Sequence, residues 1–232
     1  YNAHSIQVLK GLEHVRKRPS LYIGSTSSDG LHHLVFEIVD NSIDEALAGY
    51  CTTITVRIGS GSVVTVEDDG RGIPVDIHPT EKVSALEVVR TKLNAGGKFD
   101  KHTYKVSGGL HGVGGSVVNA LSEWMEVSVH QNGKIHAQRY ARGVPEAPVR
   151  VTGETDRHGT TVRFKPDKQI FEDIEFSFDL LSNRLRELAF LNKGLQITIA
   201  DDRANPPKSH LFQFAGGVRS FIEYLNKNKE LI

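Results

Sequence analysis

Cysteine is almost absent from this sequence. Cys51 is the only one in 232 residues, which excludes a disulfide framework within the chain and a cysteine-built zinc site. At the start of an expected strand it reads as a small buried hydrophobe, and the scarcity of thiols suits a reducing cytoplasm. Long apolar runs are missing too: no stretch approaches the roughly 18 residues of a membrane span, and the start YNAHSIQVLK lacks a signal-peptide apolar core. A soluble, cytoplasmic protein without a membrane role is therefore expected. There is no repeat at a fixed period, no low-complexity run and no linker, so one domain over residues 1–232 is expected. Nor does charge of one sign dominate. Lys plus Arg and Asp plus Glu both number 28, so the surface as a whole offers no electrostatic case for holding DNA. Eleven histidines occur, none in an H-E-x-x-H spacing that would suggest helix-borne zinc.

What is present is periodic. Ile6, Leu9, Leu12 and Val15 recur at helical spacing and predict a helix over 5–18, ended by Pro19. A second helix is predicted over 31–48, closed by Gly49. Ile54, Val56 and Ile58 alternate, as do Val64 and Val66 after a GSGS turn, which predicts a hairpin. A helix over 82–93 then precedes a glycine-rich loop over about 94–115. Beyond it the pattern predicts a short helix at 117–121, strands at 126–130, through 140, at 149–152, 160–164 and 195–199, and helices around 180–189 and 218–225. Helices segregated from hairpins, without strict βαβ alternation, predict an α+β two-layer sandwich with helices on one face of a mostly antiparallel sheet.

Three stretches carry chemistry. On the predicted 31–48 helix, which contains most of FEIVDNSIDEALAG (Phe36 to Gly49), residues His33, Glu37, Asn41 and Asp44 or Glu45 share one face, opposite Leu34, Ile38, Ser42 and Ala46. Alone this is a solvated acidic stripe. EDDGRGIP, Glu67 to Pro74, ends a strand in a turn where a carboxylate can accept from an exocyclic amine and glycines let a flat ring approach. SGGLHGVGGSV, Ser107 to Val117, is a glycine-rich entry to a helix, suited to phosphate oxygens, with Lys98 and Lys105 adding charge. It is neither a Walker A loop nor a Rossmann fingerprint. Together the three describe a Mg-nucleotide site. Asn41 offers a neutral amide oxygen to Mg2+, and Glu37, one turn earlier, is placed to deprotonate an attacking water.

EIVDNSIDEA, DDGRG and GGLHGVG, in that order, resemble the GHKL ATPase superfamily with its Bergerat nucleotide fold. GLEHVRKRPSLYIG, HHLVFEIVDNSIDEALAG, GGKF, YKVSGGLHGVG and RLRELAFLN resemble more closely the gyrase B branch, whose close paralogue is the ATPase component of topoisomerase IV. The resemblance covers nearly the whole chain. It implies ATP and Mg2+ as cofactors, Glu37 as general base oriented by His33, and Asn41 as the metal ligand. It implies Asp68 as reader of the adenine amine, supported by Gly72 and Thr160, with Glu45, Arg71, Ile73 and Pro74 lining the pocket. Lys98, Tyr104 and Lys105, with Gly109, Leu110, His111, Gly112, Val113 and Gly114, would hold phosphates. Tyr1 and Ile6, in an arm over 1–15, match positions that reach a second copy of the chain when ATP closes a homodimer.

The implied activity is that of a type IIA DNA topoisomerase: ATP-driven dimerisation powers strand passage and negative supercoiling, with gyrase A in an A2B2 complex and DNA as partners. Aminocoumarin inhibitors are implied pocket ligands. In the family an arginine often precedes the Asn132-Gly133 turn and meets those inhibitors, whereas Gln131 stands here, so weak coumarin binding is expected. Gly115 replaces a usual small apolar residue and is expected to loosen the loop. The transducer domain that supplies a γ-phosphate lysine is not within the sequence, so poor hydrolysis by this chain alone is expected. A chaperone or mismatch-repair type of nucleotide switch predicts the same pocket without coupling to DNA. A histidine kinase would need a dimerisation helix with an acceptor histidine.

Overall fold

In this computed structural model, residues 3–93, 113–227 and 229 are described. Instead of one helix over 5–18, the chain makes a 3-10 turn at Ala3–Ser5 and then two short helices, α1 (Glu13–Lys17) and α2 (Ser20–Ile23). Gly11 at φ +56 interrupts the periodic run. Pro19, which has no N–H to continue α1, is suited to open α2. Ile6 of the predicted apolar stripe stays 57% exposed.

The longest helix, α3 (Ser28–Leu47), starts before the predicted Leu31 because Gly30 fits against the Ser25 carbonyl, where a Cβ would overlap it. It stops in a Schellman motif. Gly49, at φ +90, donates to Ala46 O at 3.0 Å, and Tyr50 N donates to Glu45 O at 3.0 Å. A hairpin of β1 (Thr53–Ile58) and β2 (Val64–Asp68) follows, then α4 (Ala85–Thr91). Helix α4 begins three residues later than predicted because Lys82 adopts φ +60. After α5 (Gly114–Ala120) come β3 (Ser122–Gln131), β4 (Lys134–Ala141), β5 (Val144–Pro145), β6 (Arg150–Glu154) and β7 (Gly159–Pro166). Helix α6 (Phe178–Leu191), β8 (Gln196–Asp201), β9 (Lys208–Phe212) and α7 (Val218–Asn226) complete the order.

The strands form one sheet in the order β5-β4-β3-β7-β2-β1-β8-β9, with β6 also paired to β4. All pairings are antiparallel except β1 with β8. This is the expected two-layer sandwich. Alternate strand residues, among them Ile54, Val56, Ile58, Val66, Val129, Val162 and Ile197, are buried under Leu34, Val35 and Ile38 of α3 and Leu181 and Leu185 of α6. Each such side chain contributes about 1.5–3 kcal/mol by leaving water. Strand β9 escapes sequence reading because four of its five residues are exposed, leaving no alternation to detect.

Two polar ties fix the helical layer. His32 donates from Nδ1 to Ser28 O at 2.7 Å and accepts from Ser177 N at 2.8 Å, joining the start of α3 to the N-cap of α6. Arg16 of α1 donates to Ala120 O at 2.7 Å, closing the end of α5, and to Asp167 Oδ2 at 2.8 Å. Arg142 donates to the same carboxylate oxygen at 2.8 Å.

Candidate functional site

Helix α3 lies over the end of β2, and the residue types along it divide by what they face. His33 Nε2 and Glu37 Oε1 are 2.9 Å apart, one turn separated on α3. Glu37 is 5% exposed, a depth at which a carboxylate needs a partner. Its hydrogen bond to His33, with added attraction from Glu37 and Asp40, raises the imidazole pKa above its ordinary value although partial burial works the other way. The second carboxylate oxygen, Oε2, lies against Gly114 at the start of α5, where a Cβ would overlap it. Asn41 follows one turn later on α3 and is half-buried.

The centre of the other wall is Asp68, last residue of β2, paired in register with Ile54 and Thr160. Its Oδ2 accepts from Ser42 Oγ at 2.6 Å, and its Oδ1 accepts from Gly70 N at 2.9 Å and Thr160 N at 3.3 Å. Burial raises the Asp68 pKa and outweighs these three donors, and the nearby Glu45 charge pushes the same way. Ser42, expected on the face opposite Glu37, is thus a member of the site: the hydroxyl reaches Asp68 because α3 sits directly over the strand end.

Neighbouring residues hold this turn rigid. Asp69 accepts from Thr52 N at 2.7 Å, Thr52 Oγ1 at 2.5 Å, Thr53 N at 3.0 Å and Thr53 Oγ1 at 2.9 Å. Partial burial opposes ionisation, yet these donors keep its carboxyl well below the usual range. Glu45 is engaged by Arg71, from Nε at 3.2 Å and Nη2 at 2.8 Å, and by Arg71 N at 3.0 Å. Arg71 also stacks over the Tyr50 ring at 3.9 Å. His158 Nδ1 donates to Gly70 O at 2.8 Å. Gly159, at φ +145, abuts the Asp68 carbonyl so closely that no Cβ fits. Gly72 takes φ +85 beside Val129, and Gln131 Nε2 donates to Ile73 O at 3.2 Å, which fixes the strip Gly72-Ile73-Pro74 against β3.

The structure therefore brings together His33, Glu37, Asn41, Glu45, Asp68, Arg71, Gly72, Ile73, Pro74, Thr160, Val113 and Gly114 around the α3–β2–α5 junction. Tyr1, Lys98, Tyr104, Lys105, Gly109, Leu110, His111 and Gly112 lie outside the described residues, as does most of the loop over 94–115. Ile6 is exposed. Sequence reading missed Ser42, Asp69 and His158 as supports. The Thr52-Thr53 pair at the start of β1 was the available signal for Asp69. Gly115 does not leave an opening: the Arg90 guanidinium fills the space a Cβ would occupy.

Among the described residues, no three His, Cys, Asp or Glu side chains converge as a metal cage. Also among the described residues, no helix is long and apolar enough to cross a membrane.

Three comparisons bear on this geometry. The model of the histidine kinase-, DNA gyrase B-, and HSP90-like ATPase family matches residues 26–170, which contain both walls of the cleft. The chain is 62% identical over 232 residues to the DNA gyrase B protein of Thermotoga maritima, covering 100% of this chain and 36% of that protein. It is 58% identical over 233 residues to the DNA gyrase B protein of Treponema pallidum, covering 100% of this chain and 37% of that protein. The chain thus spans little more than a third of these relatives. Among solved structures, the 43K ATPase domain of Thermus thermophilus gyrase B in complex with an aminocoumarin superimposes with a TM-score of 0.85 at 45% identity, over 98% of this chain and 58% of that one.

Proposed function

Because the chain belongs to the histidine kinase-, DNA gyrase B-, and HSP90-like ATPase family, we propose that it binds and hydrolyses ATP with Mg2+ as the ATPase region of a DNA gyrase B protein, part of a type IIA topoisomerase. The observation that carries this reading is that one rigid helix, α3, bears the His33–Glu37 pair and, five residues on, the Ser42 hydroxyl that holds Asp68. Five residues of helix span about 7.5 Å, so the base-reading wall and the hydrolytic carboxylate are held at a fixed offset by one element.

In this reading Asp68 accepts from the adenine amine, and its other contacts keep its lone pairs aimed. Gly72 lets the ring lie against backbone, with Thr160 completing the wall. Asn41 would hold Mg2+, which would supply positive charge to neutralise the phosphates. Glu37 takes the proton of the attacking water while His33 fixes the carboxylate through Oε1. Lys98, Tyr104, Lys105 and the backbone of 109–114 would grip the phosphates. Tyr1 and the 1–15 arm would reach a second copy on ATP binding, in a cytoplasmic A2B2 complex with gyrase A and DNA. The identities of 62% and 58% to gyrase B chains support gyrase over other users of this fold.

The test is Glu37→Ala in the full-length protein with gyrase A on relaxed circular DNA. Wild type is expected to introduce negative supercoils with ATP, and the variant to bind ATP within about threefold of wild type while losing at least ~100-fold in hydrolysis, the usual worth of a positioned general base. Equal losses in binding and turnover would make Glu37 a structural carboxylate. Decatenation without supercoiling by wild type would point to the topoisomerase IV paralogue.

A further inference from the structure

Arg90, in the last turn of α4, is 4% exposed. Among the described residues its Nε has no hydrogen-bond partner, and no carboxylate is paired with its head group. The titratable groups that act on it are Tyr140 and Asp68. Both are committed elsewhere: the Tyr140 hydroxyl donates to Gln138 Oε1 at 2.7 Å, and the Asp68 oxygens are taken by Ser42, Gly70 and Thr160. A guanidinium stays charged even when buried, so a position without an acceptor is strongly unfavourable unless something else supplies one.

The position is built, not incidental. Asn119 Nδ2 donates to Arg90 O at 2.9 Å, which locks α4 onto α5. Asn119 Oδ1 is the other buried side-chain atom without a partner among the described residues, and it belongs to the same helix contact. Nη1 of Arg90 occupies the space in which any Cβ on Gly115 would stand. The preceding residue, Gly114, makes room for Glu37 Oε2 in the same manner. The Arg90 guanidinium and the Glu37 carboxylate therefore abut consecutive residues at the start of α5, with Asp68 within electrostatic reach of the former.

We propose that Arg90 is a nucleotide-contacting residue, whose guanidinium donates to acceptor atoms of the nucleotide bound between Asp68 and Glu37, and that Gly115 is glycine so that this group can enter the wall. The proposal rests on the ATP reading above. The ligand class is one rich in hydrogen-bond acceptors, which a guanidinium recognises far better than an aliphatic side chain does.

Calorimetric titration of the full-length protein with ATP, ADP and adenosine, together with ligand-free melting curves, tests it. Arg90→Leu is expected to raise the ligand-free melting temperature, because an unpaired buried charge is removed, and to weaken ATP by about tenfold or more. A loss for ATP and ADP but not adenosine assigns the contact to phosphate. An equal loss for all three with an unlowered melting temperature assigns it to base or ribose. Arg90→Lys is expected to fall between Leu and wild type. Gly115→Ala, which displaces Nη1, is expected to weaken ATP in the same direction, and it carries the test should Arg90→Leu fail to fold. Unchanged ATP affinity in Arg90→Leu overturns the proposal, as does an affinity loss that follows a lowered melting temperature equally for every ligand. Absence of ATP binding by wild type would instead overturn the ATP reading itself.

Discussion

Glu37 and Asp68 are both carboxylates at the same cleft, and their partners separate their tasks. Asp68 accepts from three fixed donors and is pushed toward the neutral form chiefly by burial. Among the described residues, Glu37 has the His33 imidazole on one oxygen. Asp68→Asn keeps the shape but replaces one acceptor by an amide donor that would face Ser42 or Gly70. We expect adenine nucleotide affinity to fall by about 2 kcal/mol, roughly 30-fold; titration with ATP checks this, and unchanged affinity would remove Asp68 from base recognition. His33 yields a pH prediction. Its pKa is raised in the folded protein, so its protonated form contributes stability fully below the ordinary value near 6.5, and that contribution is lost as pH rises through the higher folded value. The melting temperature of wild type should therefore exceed that of His33→Ala by most in mild acid, and the gap should narrow toward alkaline pH. A gap independent of pH would show that the imidazole acts by packing alone. At this scale the sequence was legible in placement: Glu37 and Asn41 stand one turn apart on α3, and Asp68 closes β2 beneath the same helix. Ser42 and Arg90 were illegible because periodicity assigns a face, not a contact, and neither the reach of a serine hydroxyl nor the space beside a glycine has a one-dimensional signature.

Among the elements, α1 has only five residues, too few to persist without tertiary support. That support is the Arg16–Asp167–Arg142 cluster, built on a carboxylate whose side chain is 1% exposed. Removing it leaves two arginines that retain some access to water. Asp167→Ala should thus cost about 3 kcal/mol, the lower end for a broken buried pair, or about 6–12 °C in Tm for a chain of this size. Thermal melting that barely moves would mean that α1 is held by Val15 and Leu12 alone. The same comparison explains which elements could be read from sequence. Helix α3 and the β1–β2 hairpin bury one side of a regular pattern and are recovered to within three residues at each end. The predicted 5–18 helix fails because its apolar spacing survives while Gly11 and Pro19 break the backbone, and β9 fails because an edge strand held by one neighbour carries no alternation.

The whole molecule is electrically balanced, 28 cationic against 28 anionic residues. Counterion release, the main source of nonspecific DNA affinity, is correspondingly small. Fluorescence anisotropy of this chain with duplex DNA at physiological salt is expected to show no binding tighter than about 100 µM, the weak end of nonspecific association; micromolar binding would mean a basic surface patch outweighs the overall balance. Most of the fold and of the cleft's first carboxylates were legible from sequence because hydrophobic alternation and short polar motifs are local. Which strand adjoins which is not local, and the β1–β8 pairing illustrates why: it joins Thr53 to Gln196 and Ile58 to Asp201, with the whole central sheet lying between them in sequence. On the ribosome, β1 must therefore wait with one edge open until α6 and β8 have emerged, although β2 and its hydrogen bonds are already in hand. For a strand carrying Ile54, Val56 and Ile58, that interval is one of exposure to other nascent chains, so the timing of synthesis, and not only the final stability, bears on how much of this protein reaches its working form.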